Sequence, residues 1–270
     1  MRKSKILLAL ILAIGIAAFV IPMFPSCPLN ALMNWGVVAT ILVTLAIIAF
    51  FFEFEASAVS SKEIALVAML GTISAVLRVP FAVIPSVQPC TFLVICSGYV
   101  FGPVAGFMVG ATTALVSNFF LGQGPWTPYQ MFAWGLVGVS AAYVRRFNLG
   151  RISLVIFGMI WGYLYGWIMN TWYWATFVYP LTFRTFLVYQ LTSVWFDTFH
   201  AIGNALFLGF FGVKTIAILD RFRKRFNWGF WGELHRTGKG LDRLKRRISF
   251  FSPRVLSPGK KPNLSICKSQ

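Results

Sequence analysis

The sequence predicts an all-α integral membrane protein that crosses the bilayer several times. Hydrophobic residues make up 58% of its 270 residues, and charged residues only 11%. The apolar residues are gathered in long stretches, and a helix needs roughly 20 of them to span the hydrocarbon core of a bilayer. A soluble domain has a more balanced composition. The predicted class is therefore a polytopic helical membrane protein.

Eight stretches are candidates for membrane-spanning helices. The fourth is short, and the Gly102-Pro103 step after it indicates a tight turn or a break between two helices. The first could be a signal peptide, but it is long and no small-x-small cleavage site follows it, so a retained helix is predicted. The stretches lie near residues 6–24, 32–52, 63–84, 91–102, 103–122, 131–146, 152–177 and 186–213.

The distribution of polar segments divides the chain into three predicted regions. Residues 1–55 form an N-terminal transmembrane hairpin, and the polar connector EFEASAVSSKE separates it from a six-helix membrane core at 56–219. Residues 220–270 form a basic cytoplasmic tail, whose simplest role is attachment to anionic lipid. Nucleic-acid binding is less favoured, because no nucleic-acid fold accompanies the charge.

The basic residues also predict an orientation. Cytoplasmic loops of membrane proteins carry an excess of Lys and Arg. With the N-terminus in the cytoplasm, Arg145, Arg146, Arg151 and the tail all fall inside, and Arg184 alone falls in an outer loop. Both termini are therefore predicted to be cytoplasmic, and the loops at 80–91 and 117–135 to face outward.

Polar side chains inside the predicted spans identify a candidate binding site. An ionisable group in a bilayer is costly, so Arg78, Asp197 and His200 are functional candidates. In the last span, Gln190, Asp197, His200 and Asn204 follow one another at helical spacing and form one stripe. The candidate substrate-binding residues are Arg78, Gln88, Asn118, Trp126, Gln130, Trp134, Asn170, Asp197 and His200.

The stretch SNFFLGQGPWTPYQMFAWG, residues 117–135, places amides and Trp rings around two prolines between apolar runs. It is predicted to form one wall or lid of an outward-facing pocket, although an aromatic belt at the interface explains part of its Trp content. Two interpretations of Arg78 stay open. It forms a salt bridge with Asp197 that holds helices together, or it binds an anionic or carbonyl group of a ligand together with Gln88.

The sequence lacks the motifs that identify several functional classes. The chain has no Gly-x4-Gly-Lys-Ser/Thr phosphate loop, so no ATPase is expected within it. Its four cysteines show no metal-binding spacing, and neither a metal nor a cofactor is predicted. An enzyme would depend on Asp197 and His200 alone. Two glycine ladders, at 102–114 and 158–166, predict close helix packing.

Four strings between about residues 63 and 215 carry a resemblance to a known family. They are SAVLRVPF, VQPCTFLVICSGYVFGPVAGFMVGA, LVSNFFLGQGPWTPYQMFAWGLVG and WFDTFHAIGN. The segment resembles the substrate-binding S components of energy-coupling-factor (ECF) transporters. The resemblance implies capture of a vitamin or precursor on the outer face, under a cap formed by residues 80–91. It also implies a transmembrane coupling protein and two cytoplasmic ATPases as partners, and no enzymatic activity in this chain.

The resemblance leaves the ligand and the docking surface as hypotheses. A corrinoid such as cobalamin is the first candidate ligand, and riboflavin and queuosine precursors are alternatives. Family members often dock through Ala-x3-Ala on the first core helix, but here Met69 follows Ala65 at that spacing. The predicted docking residues are instead Ala68, Gly71, Thr72 and Ala75. The alternative functions are an integral-membrane enzyme acting on a lipid-borne substrate, or a membrane anchor whose tail recruits a partner.

Overall fold

The computed structural model describes residues 3–20, 34–56 and 61–225, which contain helices and no β-strand. Five of the described helices are long and apolar enough to cross a membrane. The predicted all-α integral membrane class is therefore confirmed. The helices are α1 (Lys3–Val20), α2 (Trp35–Ala56), α3 (Ser61–Phe81), α4 (Cys90–Phe101), α5 (Pro103–Leu121), α6 (Thr127–Val144), α7 (Arg151–Phe177), α8 (Phe183–Thr192), α9 (Val194–Phe207) and α10 (Val213–Arg225).

The last predicted span is interrupted, so the prediction of one continuous helix over 186–213 was wrong. The chain leaves the helix at Ser193 between α8 and α9, and a π-helical turn at Leu208–Gly212 joins α9 to α10. The Ser193 hydroxyl donates to Asp197 Oδ2 at 2.9 Å, and its oxygen lies 3.2 Å from the Gln190 carbonyl oxygen. Side-chain bonds of this kind compete with the helical backbone ladder, and a hydropathy pattern does not register them.

Helix α6 begins at Thr127, four residues before the predicted start. Pro128 lies in its first turn, where the fixed φ of proline fits and the missing N–H costs no intrahelical bond. As a result Gln130 belongs to the helix and not to the preceding loop. The loop between α5 and α6 is correspondingly short, because α5 ends at Leu121.

Glycines let the central helices approach backbone to backbone, as the ladders predicted. A Cβ atom on Gly106 or Gly138 would overlap the backbone of the other residue, and one on Gly98 would overlap Gly138. Helices α4, α5 and α6 therefore meet without intervening side chains. Gly162 packs in the same way on the backbone of Ala201, which joins α7 to α9.

The N-terminal helices lie beside this core. Helix α1 packs on α2, and α2 packs on α5, α6 and α7. The boundary at residue 55 stays a prediction. The predicted hairpin loop, residues 57–60 of the polar connector and the tail beyond Arg225 lie outside the described residues.

The core has two chemically different ends. At one end, Arg145 donates to the Val100 carbonyl at 2.8 Å and lies 3.7 Å from Asp220, while Arg151 donates to the Gly209 carbonyl at 2.6 Å. At the other end lie the connections α3 to α4 and α5 to α6. The second end carries most of the candidate site residues.

Candidate functional site

Arg78 stands at the centre of a group of buried polar side chains. It lies near the end of α3 with 8% of its surface exposed. Its Nε donates to Gln88 Oε1 at 3.0 Å, and its Nη1 donates to Ser117 Oγ at 2.6 Å and Asn118 Oδ1 at 2.7 Å. The guanidinium also lies over the ring of Trp134, 4.7 Å from its centroid. Arg78 thus binds neutral groups and an aromatic face, both common partners of a weakly hydrated guanidinium.

Asn118 connects Arg78 to the start of α6. Its Oδ1 accepts from Arg78, while its Nδ2 donates to Thr127 Oγ1 at 2.9 Å and to Gln130 Oε1 at 2.7 Å. Thr127 in turn donates to Gln123 Oε1 at 2.9 Å. The structure therefore explains the amide-rich stretch at 117–135. Its polar side chains form a continuous hydrogen-bond network that reaches the buried guanidinium of Arg78.

Aromatic side chains extend the same group toward α9. Trp134 Nε1 donates to Thr91 Oγ1 at 3.0 Å, and the Thr91 hydroxyl shares a hydrogen bond of 2.8 Å with His200 Nε2. The ring of Tyr165 packs between them, 4.7 Å from Trp134 and 5.1 Å from His200 by centroids. We call this group the Arg78 cluster. It consists of Arg78, Gln88, Thr91, Ser117, Asn118, Thr127, Gln130, Trp134, Tyr165 and His200.

Asp197 and Asn170 belong to a separate hydrogen-bond network. Asn170 Nδ2 donates to Gln190 Oε1 at 3.1 Å and to Ser193 Oγ at 2.5 Å, and Ser193 donates to Asp197 Oδ2. Asp197 packs against Gly166 of α7. No salt bridge joins Asp197 to Arg78 in the described part of the chain, so that interpretation of the two charges was wrong. Asp197 instead accepts a hydrogen bond from Ser193, which lies at the break between α8 and α9.

The family model of the ECF transporter substrate-specific component matches residues 62–232, which is more than half of the chain. The chain belongs to this family. It is accordingly a substrate-binding membrane subunit of an ECF importer, and its partners are a coupling protein, ATPases and a small-molecule substrate. No curated protein and no solved structure matches the chain.

The structure of this substrate-specific component unites some of the nine candidate residues and separates others. Six of them lie in the Arg78 cluster: Arg78, Gln88, Asn118, Gln130, Trp134 and His200. Asn170 and Asp197 lie in the separate network. Trp126 is the residue before α6, with 37% of its surface exposed, and its ring lies against Gly124.

Four residues of the Arg78 cluster were absent from the sequence-based candidates. Thr91, Ser117 and Thr127 are hydroxyl residues, which occur in many membrane helices and mark no site by themselves. Tyr165 stands one residue before the last glycine of a ladder that predicts packing. The weak signal for Ser117 and Thr127 was their place within the polar stretch at 117–135.

The predicted docking residues on α3 point in different directions. Ala68 and Thr72 are exposed, whereas Gly71 and Ala75 are buried. Gly71 faces Thr112 of α5, where a Cβ atom would lie 2.8 Å from the threonine side chain. Of the four predicted residues, Ala68 and Thr72 are therefore the two that lie on the exposed face of α3.

Two surface grooves lie away from both networks. The larger, of about 470 Å³, is lined by residues between Val178 and Tyr189, including Arg184, and the other is formed by α1 and α2. Neither includes a member of the Arg78 cluster. Neither groove brings together the convergent buried polar groups that fix a small molecule in its site.

Proposed function

We propose that this substrate-specific component captures a vitamin or vitamin precursor and that the Arg78 cluster recognises it. One observation carries the proposal: the hydrogen bonds of a guanidinium buried within a membrane bundle go to neutral side chains. A buried cation without an anionic partner is costly. A carboxylate or phosphate of a ligand would supply the missing negative charge, and a carbonyl-rich edge would supply neutral hydrogen-bond acceptors for the guanidinium.

The other members of the cluster favour a flat ligand with polar edges. Trp134 and Tyr165 offer aromatic faces, and the amides of Gln88, Asn118 and Gln130 can each donate and accept hydrogen bonds. Trp126 would cover the ligand at the start of α6. Asn170 and Asp197 would contact only a part of the ligand that reaches toward α8.

Within the vitamins, a corrinoid such as cobalamin is the first candidate. Its flat ring would suit the Trp faces, and its amide arms would suit the side-chain amides of the cluster. Riboflavin and queuosine precursors share the flat, carbonyl-rich character and are the alternatives. Each of these ligands carries carbonyl or amide oxygens that can accept hydrogen bonds from Arg78.

A thermal-shift screen of the detergent-purified protein against vitamins and corrinoids tests the proposal. A ligand at a hundred times its dissociation constant adds about 2.7 kcal/mol to the free energy of unfolding. We expect at least one compound to stabilise the wild type and Arg184→Gln, and to lose this effect in Arg78→Gln. If a compound stabilises Arg78→Gln as strongly as the wild type, recognition by the Arg78 cluster is refuted. If no compound stabilises the folded wild type, the vitamin assignment fails.

We also propose how the component sits in the membrane and meets its partner. Arg145, Arg146 and Arg151 lie at one end of the core, which the positive-inside rule assigns to the cytoplasm together with both termini. The Arg78 cluster would then lie toward the outside. The exposed small residues Ala68 and Thr72 on α3 would receive a helix of the coupling protein, because small side chains allow close helix approach.

The alternative functions have less support. An enzyme would need Asp197 and His200 to act together, but Asp197 bonds to Ser193 and His200 to Thr91 in separate networks. An anchor that recruits a partner through its tail would not need a buried arginine cluster. The tail itself lies outside the described residues.

A further inference from the structure

We propose that helix α2, outside the segment matched by the family model, is a positioning element of the substrate site. It holds the first turn of α6, which carries Thr127 and Gln130, in place against α5. The functional part of this inference rests on the proposed role of the Arg78 cluster. Its structural part can be tested without any ligand.

The first contact is a hydrogen bond between α2 and α6. Thr40 Oγ1 lies 2.8 Å from the hydroxyl of Tyr129, and Thr40 also donates to the Gly36 carbonyl at 2.7 Å. The same carbonyl lies 3.5 Å from the Tyr129 hydroxyl. Among the described residues, both polar partners of the Tyr129 hydroxyl belong to α2.

Tyr129 needs these partners because it is buried. Its exposed fraction is 3%, and its ring stacks on Trp172 of α7 with centroids 5.1 Å apart. Without α2 the hydroxyl would lose both partners, and a buried hydroxyl without a hydrogen bond costs free energy. Helix α2 therefore supplies hydrogen-bond partners for the Tyr129 hydroxyl, which the rest of the described core does not supply.

Farther along, α2 makes an apolar contact with the core. Phe50 stacks on Phe107 of α5 with centroids 3.9 Å apart and planes 7° apart. Ile47 is buried in the same cluster with Phe107 and Ala111. The Phe107 ring lies against Gly135 of α6. Helix α2 therefore contacts the core at two places along its length, through Thr40 and through Phe50. The first of these contacts is made to the turn of α6 that carries Thr127 and Gln130.

The hydrogen bonds continue from that turn to the arginine. Tyr129 lies between Thr127 and Gln130 on the first turn of α6, and both of these accept hydrogen bonds from Asn118 Nδ2. Asn118 Oδ1 accepts from Arg78. The path from Thr40 to Arg78 therefore runs through one helical turn and one amide. A loose first turn in α6 would misplace the amides that surround the guanidinium.

Hydrogen–deuterium exchange of the full chain in lipid nanodiscs tests the positioning role. Thr40→Val and Tyr129→Phe each remove the hydrogen bond and keep the shape of the side chain. A hydrogen bond in a membrane bundle contributes little, so we expect exchange over residues 122–134 to become about threefold faster. Thr40→Ser keeps the hydroxyl and should restore the wild-type rate. Thr44→Val, at an exposed position of the same helix, is the matched control.

The outcomes distinguish the structural part of the inference from its functional part. Faster exchange confined to 122–134, with unchanged exchange over 154–166 of α7, supports positioning. Equal acceleration in both segments indicates general destabilisation and overturns the proposal, as does an unchanged rate in Tyr129→Phe. Retention of cobalamin and riboflavin is measured on the same variants. If the wild type binds neither, the ligand assignment fails while the exchange result stands, whereas binding that survives a loosened first turn refutes the link to the site.

Discussion

At the scale of single residues, Asn118 links the buried arginine to the first turn of α6. Its carbonyl oxygen accepts from Arg78, and its amide nitrogen donates to Thr127 and Gln130. An asparagine can do both because its side chain carries a donor and an acceptor group. A carboxylate in its place would accept from Arg78 but could not donate to the other two when ionised.

Replacing Asn118 by Leu should lower stability even without a ligand. The side chain is nearly the same size, but Arg78, Thr127 and Gln130 each lose a partner in a buried site. We expect a loss of about 1–3 kcal/mol in the free energy of unfolding, measured by chemical or thermal unfolding in detergent. Thr72→Val, on the exposed face of α3, should change it little. Equal stability of the two variants would show that the Asn118 contacts are not energetically important.

At the scale of helices, the crossing of α4, α5 and α6 depends on glycine. Gly98, Gly106 and Gly138 lie so close together that a Cβ atom on any of them would overlap backbone. Backbone atoms cannot move aside as the end of a flexible side chain can. The crossing brings α5 and α6 together, and these helices hold Asn118, Gln130 and Trp134.

Gly138→Ala should therefore separate α5 from α6. Overpacking in a closely packed core costs about 1–3 kcal/mol and occasionally more, and a backbone overlap belongs to the upper part of that range. Gly15→Ala on α1, where a Cβ atom would meet nothing within 4 Å, is the control, and alanine favours a helix there. Melting temperatures of the purified variants make the comparison. Similar values would contradict the close approach.

At the scale of the whole molecule, the two ends of the core differ in charge and one flank of α3 is open. Arg145, Arg151 and Asp220 mark one end, and the Arg78 cluster lies toward the other. Ala68 and Thr72 present small side chains on the accessible face of α3. These features underlie the proposed orientation and the proposed docking surface.

A bulky residue at Ala68 should block assembly without affecting the substrate site. We expect Ala68→Trp to co-purify with the coupling protein and ATPases at a tenth or less of the wild-type yield, because a large ring prevents close helix approach. Ile160→Trp, at an exposed position of α7, is the control and should assemble normally. Normal assembly of Ala68→Trp would move the docking surface elsewhere.

Cysteine labelling tests the orientation. In a background where Cys27 and Cys267 are replaced by Ser, Val83→Cys and Phe147→Cys place thiols at exposed positions on opposite ends of the core. A membrane-impermeant maleimide should label Val83→Cys in intact cells and Phe147→Cys only after permeabilisation. The reverse pattern would place both termini outside the cell.

Sequence reasoning identified the membrane class and six residues of the Arg78 cluster. Hydrophobic stretches report helices because a span must bury its own backbone bonds, and polar residues within them stand out because lipid penalises them. The predicted boundary between α4 and α5 at Gly102 and Pro103 was accurate, whereas α6 begins four residues before its predicted start. The predicted continuous helix was wrong at Ser193, where a side-chain hydrogen bond accompanies the interruption of the helix.

The composition and order of the residues alone determined that this chain is a helical membrane protein with polar side chains among its core helices. Only the tertiary structure decided which polar groups meet. In the structure Arg78 donates a hydrogen bond to Asn118 and forms no salt bridge with Asp197. Sequence spacing gives the position of a residue only along its own helix, whereas a hydrogen bond requires two atoms to lie within about 3 Å of each other. The sequence alone therefore could not show which partner Arg78 has. The contact of Thr40 with Tyr129 joins segments far apart in the chain. No local pattern specifies such a contact, since it depends on how separately formed helices pack.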